Sequence, residues 1–436
     1  MFSFLLTIYE ILLLLAYRIH MYKDRITTRK RVGENRYKEI FGKNSIERPE
    51  GQLIWIHAIS VGETMASLPV ILALRQRHPD LNIMLTTGLM SSSNAMPNFL
   101  PPDANIIHQY IPIDSRKYVQ SFYDHWKPDC VVFIESEIWP NILLESEKRG
   151  IPFILANARL SLASQKKWKK YPKIALRLMS CYSNILTQGI DGTNFFISIG
   201  CPAAKIHQVG PLKITSPKLR VHSESLEHWK RILLKRPVWL VASSHEGEEQ
   251  ILLNVHKQLL SSYPELLLII APRHVSRAHE IQELCVKFEM TSALHSLKEI
   301  PQRSTNVFIA DTLGEMGLWY RLCKIVFLAG SLLPKYKGHN AFEPAQLGCC
   351  VLHGPYVSNC KKDYELLASF KCAQMIDDQH MLLPTLTSLM DENGFPNETS
   401  VKMTHNSAMV FAKRHEVLSN TIRIIESYIR DNNSNI

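Results

Sequence analysis

Residues 53–70 read LIWIHAISVGETMASLPV, and this stretch contains the signal that decides the fold. It opens with a continuous apolar run, which is typical of a strand buried on both faces. Gly62 then allows a tight turn into an apolar stretch of helix length. The same alternation recurs along the chain, and strands that alternate with helices indicate parallel sheets covered on both faces. The pattern therefore predicts an α/β protein.

The strand-like runs fall into two series. The first comprises Leu53–His57, Asn82–Thr87, Ile107–Pro112, Cys130–Ile134, Pro152–Ala156 and Asn184–Gln188. The second comprises Val238–Ala242, Leu266–Ala271, Asn306–Ala310, Ile325–Leu328 and Cys350–His353. Two series predict two doubly wound domains, with the polar, proline-containing stretch Val209–Lys230 as the linker candidate. We expect domains at 21–208 and 209–410, followed by a C-terminal helix and tail at 411–436.

Composition narrows the class of protein. Of the 436 residues 46% are hydrophobic and 21% are charged, which is close to the globular average and excludes disordered, fibrous and polytopic membrane proteins. The formal net charge of +10 favours an anionic partner such as nucleic acid, a membrane surface or a phosphorylated substrate. Nine cysteines without metal-ligand spacing indicate a reducing compartment and no metal site.

The N-terminus suggests a membrane anchor. Residues 2–17 are almost continuously apolar, and a basic segment follows at Arg18, Lys23, Arg25, Arg29, Lys30 and Arg31. The run is short for a span, and no cleavage site follows it. We expect an anchor helix at 1–20 that lies in, or barely crosses, the cytoplasmic side of an anionic membrane. A helix that packs on the first domain is the alternative.

Two acidic positions follow strands of the first series. Glu63 stands at a helix start, where a carboxylate either complements the helix dipole or accepts a proton from an acceptor hydroxyl. In CVVFIESEIWPN (130–141), Glu135 and Glu137 follow a buried strand, where carboxylates are costly unless they are solvated or have a role. A solvated loop with one capping acid is the alternative there. Spacing alone leaves both questions open.

A basic cluster lies later in the first half. The strand in ILANARLS ends with Asn157 and Arg159, and QKKWKKYPK (165–173) then interleaves five lysines with Trp168 and Tyr171. Such a patch either binds phosphates or an anionic membrane, or is a solvated helix face. Since no helix-turn-helix, RNA-recognition or zinc module is evident, we expect no nucleic-acid partner.

Four polar motifs follow strands of the second series: SSHEGEE (243–249), PRH (272–274), DTLGEMG (311–317) and GHNAFEPA (338–345). Ligands of open α/β sheets bind beyond the carboxyl ends of the strands. Arginine suits phosphate, and helix N-terminal amides beside a carboxylate suit a nucleotide. Together the motifs predict a nucleotide pocket. The absence of Walker A, GxGxxG, HExxH and DxD sequences disfavours P-loop ATPases, Rossmann oxidoreductases and metal-dependent GT-A transferases.

These motifs, together with WIHAISVGE (55–63), ESEIWPN (135–141) and NARLS (157–161), form an ordered series that resembles the 3-deoxy-D-manno-octulosonic acid (Kdo) transferases. The resemblance implies a GT-B architecture, with two Rossmann-like doubly wound domains facing a central cleft and an N-terminal membrane-anchor helix. It implies an acceptor-binding first domain and a CMP-sugar-binding second domain. The implied reaction transfers Kdo from CMP-Kdo to the lipid A precursor (lipid IVA) of lipopolysaccharide at the cytoplasmic face of the cell inner membrane.

The resemblance also implies roles for residues. Glu63 matches the general base, Glu135 a carboxylate that acts in the transition state, and Lys213 a lysine of similar role. The matched CMP contacts are Pro272, Arg273, Leu313, Gly314, Glu315, Asn340, Ala341, Phe342 and Glu343. The implied mechanism is inverting, with no metal and no cofactor other than the donor substrate.

Two loops depart from the family pattern. In GPLKIT (210–215) Pro211 replaces a small residue, and in AGSLLPKYKGHN (329–340) Lys337 replaces a glycine in a loop that is one residue longer. We expect altered donor geometry or affinity in an enzyme that remains active. The rival hypotheses are a GT-B transferase that uses another nucleotide sugar, and a non-catalytic, membrane-bound scaffold that binds lipid A.

Overall fold

The computed structural model describes residues 6–15, 34–44, 46–88, 106–135, 138–233 and 235–429. The chain divides into two compact units, one formed by Met1–Ser216 with Arg414–Ile436 and the other by Pro217–Lys413. Each unit is built on a seven-stranded sheet. The paired strands run parallel throughout both sheets. The expected α/β class with two parallel-sheet domains is therefore confirmed.

The first sheet has the strand order β3-β2-β1-β4-β5-β6-β7. Its strands are β1 (Leu53–Ala58), β2 (Asn82–Thr87), β3 (Ile106–Tyr110), β4 (Cys130–Ile134), β5 (Phe153–Ala158), β6 (Asn184–Thr187) and β7 (Ile206–Gln208). The direction of winding reverses between β1 and β4. Such a switch point opens a crevice at the carboxyl ends of the strands, and ligands of this fold class bind there.

The helices of the first unit lie between its strands and at both ends of the chain. They are α1 (6–15), α2 (Glu34–Glu39), α3 (Val61–Arg77), α4 (Arg116–Trp126), α5 (Pro140–Lys148), α6 (Leu162–Lys170), α7 (Pro172–Met179), α8 (Ile190–Ser198) and, after the second unit, α17 (Arg414–Glu426). Short 3₁₀ helices occupy Ala203–Lys205 and Leu212–Thr215.

The second sheet has the order β10-β11-β9-β8-β12-β13-β14, so its switch point lies between β8 and β12. The strands are β8 (Val238–Ser244), β9 (Leu267–Pro272), β10 (Ser292–Leu294), β11 (Val307–Ile309), β12 (Ile325–Leu328), β13 (Cys350–His353) and β14 (Ala373–Met375). The helices are α9 (Ser223–Ile232), α10 (Glu248–Ser262), α11 (Ala278–Lys287), α12 (Met316–Leu322), α13 (Phe342–Gln346), α14 (Lys361–Ser369), α15 (Leu382–Ser388) and α16 (Glu398–Ala412).

Each sheet lies in the hydrophobic core of its own unit. Every residue of β1, β4 and β5 is buried, as is every residue of β9, β12 and β13. This burial explains why these strands read as unbroken apolar runs and not as alternating ones. Trp55 contacts Phe122, Tyr123 and Phe133 in the first core, and Trp239 lies in the second. All eleven predicted strands are present, with ends shifted by up to two residues.

Helix α1 packs on the first unit by polar contacts. The Tyr9 hydroxyl donates to Asp114 Oδ2 at 3.0 Å, and the Glu10 carboxylate accepts from the Arg116 backbone N–H at 2.7 Å. Asp114 is itself buried and caps α5. Four apolar side chains of α1 remain exposed: Ile8 (37%), Ile11 (52%), Leu12 (60%) and Leu15 (49%).

The structure bears on only part of the predicted anchor. Among the described residues, no helix combines the length and the apolar character that crossing a bilayer requires. The remaining residues of the predicted anchor at 1–20, and the basic segment from Arg18 to Arg31, lie outside the described residues.

Helix α17 returns the chain to the first unit. The Glu426 carboxylate pairs with Arg77 Nη1 at 3.2 Å and with His78 Nε2 at 3.0 Å, both at the end of α3. The Tyr428 hydroxyl accepts a hydrogen bond from Asn184 Nδ2 at 2.6 Å. The second unit is therefore inserted, in sequence, within the first.

Candidate active site

Glu63 lies on the first turn of α3, directly after β1. Its carboxylate accepts hydrogen bonds from the Ile59 backbone N–H at 2.8 Å and from the Ser60 hydroxyl at 3.0 Å, while Ser60 Oγ accepts from the Glu63 N–H. This reciprocal arrangement is similar to a capping box, with the backbone N–H of Ile59 in place of that of the N-cap Ser60, so the structural interpretation of Glu63 is present. The side chain is buried to 8% exposure at the switch point, where a catalytic carboxylate would also be placed.

Glu135 follows β4, the strand next to β1 across the switch point. Its backbone N–H donates to Ala156 O at 2.9 Å, and its φ of +68° is in the left-handed region. A non-glycine residue is strained there by about 1 kcal/mol or more, and such strain concentrates at functional sites. The structure thus places Glu63 and Glu135 after two adjacent strands. Ser136 and Glu137 lie outside the described residues.

Asn157 connects β5 to the segment that contains Lys213. It has a φ of +57°, is buried, and accepts a hydrogen bond at Oδ1 from the Leu212 N–H at 2.9 Å. Leu212 begins the 3₁₀ helix in which Lys213 is half-buried. Pro211 precedes this helix at φ −78°, a value that proline adopts readily. The side chain of Asn157 therefore holds the lysine segment at the carboxyl end of the sheet.

In the second unit, Pro272 ends β9 and Arg273 follows it, exposed to solvent. Within the described parts of the chain, the Arg273 guanidinium forms no ion pair and no hydrogen bond with a side chain. The two acids at the start of the neighbouring helix α10 are engaged elsewhere. Glu248 accepts hydrogen bonds from the N–H groups of Gly330, Ser331 and Leu332, and Glu249 pairs with Arg277 at 2.6 Å. Arg273 is thus a cation available to an external anion.

Asn340, Ala341, Phe342 and Glu343 form the start of α13. Asn340 Oδ1 accepts from the Phe342 N–H at 3.1 Å, and Asn340 Nδ2 donates to Glu343 Oε1 at 3.1 Å. Burial raises the pKa of Glu343, against the opposing effects of Asn340 and of the nearby Arg273 charge. Ala341 and Phe342 are buried. The structure therefore brings the Arg273 and Glu343 motifs close to each other.

Leu313, Gly314 and Glu315 lie between β11 and α12. Leu313 is 77% exposed, and Gly314 adopts φ +84° with no atom within 4 Å of an added Cβ. Glu315 accepts hydrogen bonds from His295 Nε2 at 2.8 Å and from the Thr312 hydroxyl. Because His295 is packed against Trp229 and Trp319, the Glu315 carboxylate is held in one place.

Two histidines that the sequence analysis did not single out meet beside Arg273. His245 follows β8 and His339 lies in the loop after β12, and their Nε2 atoms are 2.9 Å apart. Both occur in quoted motifs, SSHEGEE and GHNAFEPA. Their contact, however, depends on β8 and β12 being neighbours across the switch point, which the order of residues does not reveal.

The basic cluster forms an exposed surface on α6 and α7. The lysines at 166, 167, 169, 170 and 173 are all exposed, as are Leu162 (76%) and Tyr171 (54%). Trp168 packs partly against the first core. In the ranges that the structure describes, no three histidine, cysteine or acidic side chains are grouped as a metal site would require.

Comparison with known proteins shows which family this chain resembles. Residues 34–216 match the family described as 3-deoxy-D-manno-octulosonic-acid transferase. The chain is 33% identical over 331 residues to the 3-deoxy-D-manno-octulosonic acid transferase of Haemophilus influenzae, covering 75% of this chain and 76% of that protein. It is 31% identical over 378 residues to the enzyme of that name from Rickettsia felis, covering 86% and 79%.

This chain belongs to the 3-deoxy-D-manno-octulosonic acid transferase family. The predicted family and enzyme class, a Kdo-transferring glycosyltransferase, are thereby confirmed. A solved glycosyltransferase of Rickettsia africae shares the fold, with a TM-score of 0.55 at 12% identity over 88% of this chain and all of that one. The two parallel-sheet domains of this Kdo transferase are therefore of the GT-B type.

Proposed function

We propose that this Kdo transferase moves Kdo from CMP-Kdo to the lipid A precursor lipid IVA in lipopolysaccharide biosynthesis. The observation that carries the proposal is the guanidinium of Arg273, which forms no ion pair within the described ranges and lies close to the histidines at the switch point of the second sheet. A nucleoside monophosphate sugar presents one phosphate charge, and arginine binds phosphate through two parallel hydrogen bonds. In a Kdo-transferring family, CMP-Kdo is the donor that fits such a site.

The second unit is proposed to bind the donor. Arg273 would bind the phosphate, and the N-terminal amides of α13 with Asn340 and Glu343 would bind phosphate and ribose. Glu315, held by His295 and Thr312, is placed to accept a hydrogen bond from a sugar hydroxyl or from the cytosine amino group. The remaining proposed contacts are Pro272, Leu313, Gly314, Ala341 and Phe342.

The first unit is proposed to bind the acceptor and to supply the base. The acceptor hydroxyl loses its proton to Glu63, and its oxygen bonds to the anomeric carbon of Kdo as the bond from that carbon to the phosphate oxygen breaks. The electron pair of the broken bond goes to the phosphate. A single displacement of this kind inverts the anomeric centre. Glu135 would stabilise positive charge on the sugar in the transition state, while Lys213 would stabilise negative charge on the departing phosphate.

No metal and no further cofactor are needed in this proposal. The charge that develops on the phosphate is met by Lys213, Arg273 and the amides of helix N-termini. Fixed donors of this kind, aimed where charge develops, supply the largest single contribution to catalysis in many enzymes.

We also propose that the enzyme acts at the cytoplasmic face of the inner membrane. The exposed apolar side chains of α1 support this location. A cavity of about 910 Å³ beside the helix is lined by the basic Lys43, Arg116 and Lys117 and by the acidic Glu10 and Asp124. The lysines of α6 and α7 add further positive charge. An apolar helix face bordered by basic side chains is suited to an anionic bilayer surface.

The test is direct transfer. CMP-Kdo is generated in situ, its synthesis is completed, EDTA is added, and the full chain is then mixed with tetraacylated lipid A precursor. We expect a mass gain of one or more Kdo units on the lipid. Parallel reactions with UDP- and ADP-sugars test the rival donors.

The outcomes separate the hypotheses. Transfer from a UDP- or ADP-sugar in place of CMP-Kdo would overturn the donor assignment. Lipid binding without any transfer would favour the non-catalytic scaffold. A reaction that stops when EDTA is added would overturn metal independence alone.

A further inference from the structure

His245 and His339 form a hydrogen bond between two imidazole rings. Their Nε2 atoms are 2.9 Å apart, and the rings lie within 5° of a common orientation with centroids 5.1 Å apart, so the two rings meet edge to edge. A hydrogen bond between two imidazole nitrogens requires one proton between them. One ring therefore donates and the other accepts.

The neighbouring residues fix the position of the two histidine rings. His245 follows β8 and His339 lies in the loop after β12, so the pair bridges the switch point of the sheet. Gly330 lies under the pair at φ +72°, and a Cβ added there would lie 2.6 Å from His339 and 3.3 Å from His245. No other residue fits at Gly330 without moving the rings. The Glu248 carboxylate holds the Gly330 backbone N–H at 2.7 Å and so fixes this position.

Positive charge lies close to the pair, and the charge common to both rings is Arg273, which also interacts with Glu343. Burial is the main cause that lowers the pKa of both histidines to about 4; the Arg273 charge lowers both further, and His339 and His274 also lower the pKa of His245. The pair is therefore neutral near pH 7 while the site is empty. The titratable and charged groups around it are Arg273, His274, Arg277, Tyr336, Lys335 over the Tyr336 ring, Tyr364 and Glu248.

An anion bound by Arg273 would reverse this balance. A phosphate beside the pair favours the charged form of an imidazole, because opposite charges within 4–6 Å stabilise each other. Tyr336 already supports one face of His245, because the two rings stack with their centroids 4.0 Å apart. The site is thus arranged to gain a proton when a phosphate enters.

We propose that His245 and His339 are the proton-holding pair for the departing phosphate of the donor, an inference that rests on the proposed function. As the donor binds, the pair takes one proton from solvent. When the bond from the anomeric carbon to the phosphate oxygen breaks, the electron pair goes to that oxygen, and the imidazolium transfers its proton there. CMP leaves as the monoanion, and the histidine pair returns to its neutral state.

The test follows the imidazole nitrogens directly. The full chain is labelled with ¹⁵N-histidine, and its spectrum is recorded at pH 7 alone, with saturating CMP, and with cytidine, which lacks the phosphate. His245→Gln and His339→Gln assign the signals. We expect neutral rings in the free protein, one ring with both nitrogens protonated in the CMP complex, and no change of charge with cytidine.

The test separates a failure of this inference from a failure of the proposed function. If CMP shifts other signals of the site, such as that of His274, while both rings stay neutral, the pair has no proton role and the CMP-Kdo proposal stands. If CMP binds nowhere, as measured by calorimetry, this inference and the proposed donor fall together.

Kinetics provide a second readout. His245→Gln and His339→Gln should each lower kcat about 100-fold, within the range of lost acid catalysis, with little change in the KM for the donor. The alkaline limb of the kcat profile should disappear in both. His279→Gln is the matched control, since His279 is 80% exposed in the same unit and pairs with Glu283. A variant that retains the wild-type pH profile would overturn the assignment.

Discussion

Ser60 Oγ accepts a hydrogen bond from the Glu63 N–H at 3.3 Å, and Glu63 Oε1 accepts one from the Ser60 hydroxyl at 3.0 Å. This reciprocal contact fixes the carboxylate by the requirements of the helix, before any substrate is present. The base proposed for the reaction therefore also bonds to the N-cap residue of the helix, Ser60. The capping role and the proposed catalytic role of Glu63 can be tested separately, because Ser60 takes part in the cap and has no proposed role in proton transfer.

Glu63→Gln should abolish transfer while CMP still binds. The amide keeps an acceptor oxygen for the cap and cannot take the acceptor proton. Ser60→Ala is the matched control: it should lower the free energy of unfolding by about 1 kcal/mol and leave transfer measurable. Transfer is followed by mass spectrometry and binding by calorimetry. Normal turnover by Glu63→Gln would remove Glu63 as the base.

Arg273→Met should weaken donor binding. A charge-assisted hydrogen bond contributes about 1.5–3 kcal/mol, so the Kd for CMP should rise about 10- to 100-fold. Arg303→Met serves as the control, since Arg303 is an exposed arginine of the same unit that pairs with Glu265. Calorimetric titration with CMP provides the measurement, and equal affinities in both variants would place the phosphate away from Arg273.

Lys337→Gly should stabilise the second unit. Lys337 adopts φ +64°, which strains a residue with a Cβ by about 1–2 kcal/mol and glycine not at all. The greater freedom of glycine in the unfolded chain offsets part of this gain, so about 0.5–1 kcal/mol should remain. Urea unfolding monitored by circular dichroism measures the difference. Lys371→Gly, at φ +56° in the same unit, should behave alike if backbone strain is the cause.

His57 should make the first unit sensitive to acid. Burial lowers the pKa of His57 to about 3, whereas the unfolded chain titrates near 6.5. The unfolded state therefore binds the proton first as the pH falls from 6.5 towards 3, and stability is lost across that window. The loss should be of the order of 4 kcal/mol. His57→Gln should flatten the dependence of unfolding free energy on pH, and an unchanged slope would contradict this origin.

The double variant Ile11→Ser/Leu12→Ser should reduce binding to vesicles that contain phosphatidylglycerol. The two side chains are 52% and 60% exposed on α1, and burying each in lipid is worth about 1.5–3 kcal/mol. Val286→Ser is the control, because Val286 is 70% exposed on α11 of the second unit. Cosedimentation measures the bound fraction. Equal binding by both variants would exclude α1 as the membrane contact.

The apolar pattern of the sequence predicted the central strands of both sheets and missed most of the edge strands. The strands β7, β10 and β14 were not predicted, and each has only three residues at the edge of its sheet. An edge strand needs little apolar sequence, since one side has no partner strand. The second half of the proposed linker Val209–Lys230 likewise contains the start of a helix, α9.

Some features of the candidate site could likewise be predicted from local sequence, and others could not. Glu135 and Arg273 stand directly after strands, and Glu63 stands on the first turn of the helix that follows one, so local sequence was enough to raise them as candidates. The contact between His245 and His339, and the support of the Lys213 segment by Asn157, join residues that are 94 and 55 positions apart. Such contacts follow from strand order, and the strand order is not encoded in any local pattern.

The insertion of the second unit within the first has a consequence for biosynthesis. The ribosome releases residues 217–413 as one continuous segment, so the second unit can fold while translation continues. The first unit must wait for α17, whose Glu426 pairs with Arg77 and His78. During that interval the face of α3 that α17 covers is bare. The half of the protein that is made first is therefore the half that is completed last, and a stop codon near residue 413 would damage the domain that begins the chain.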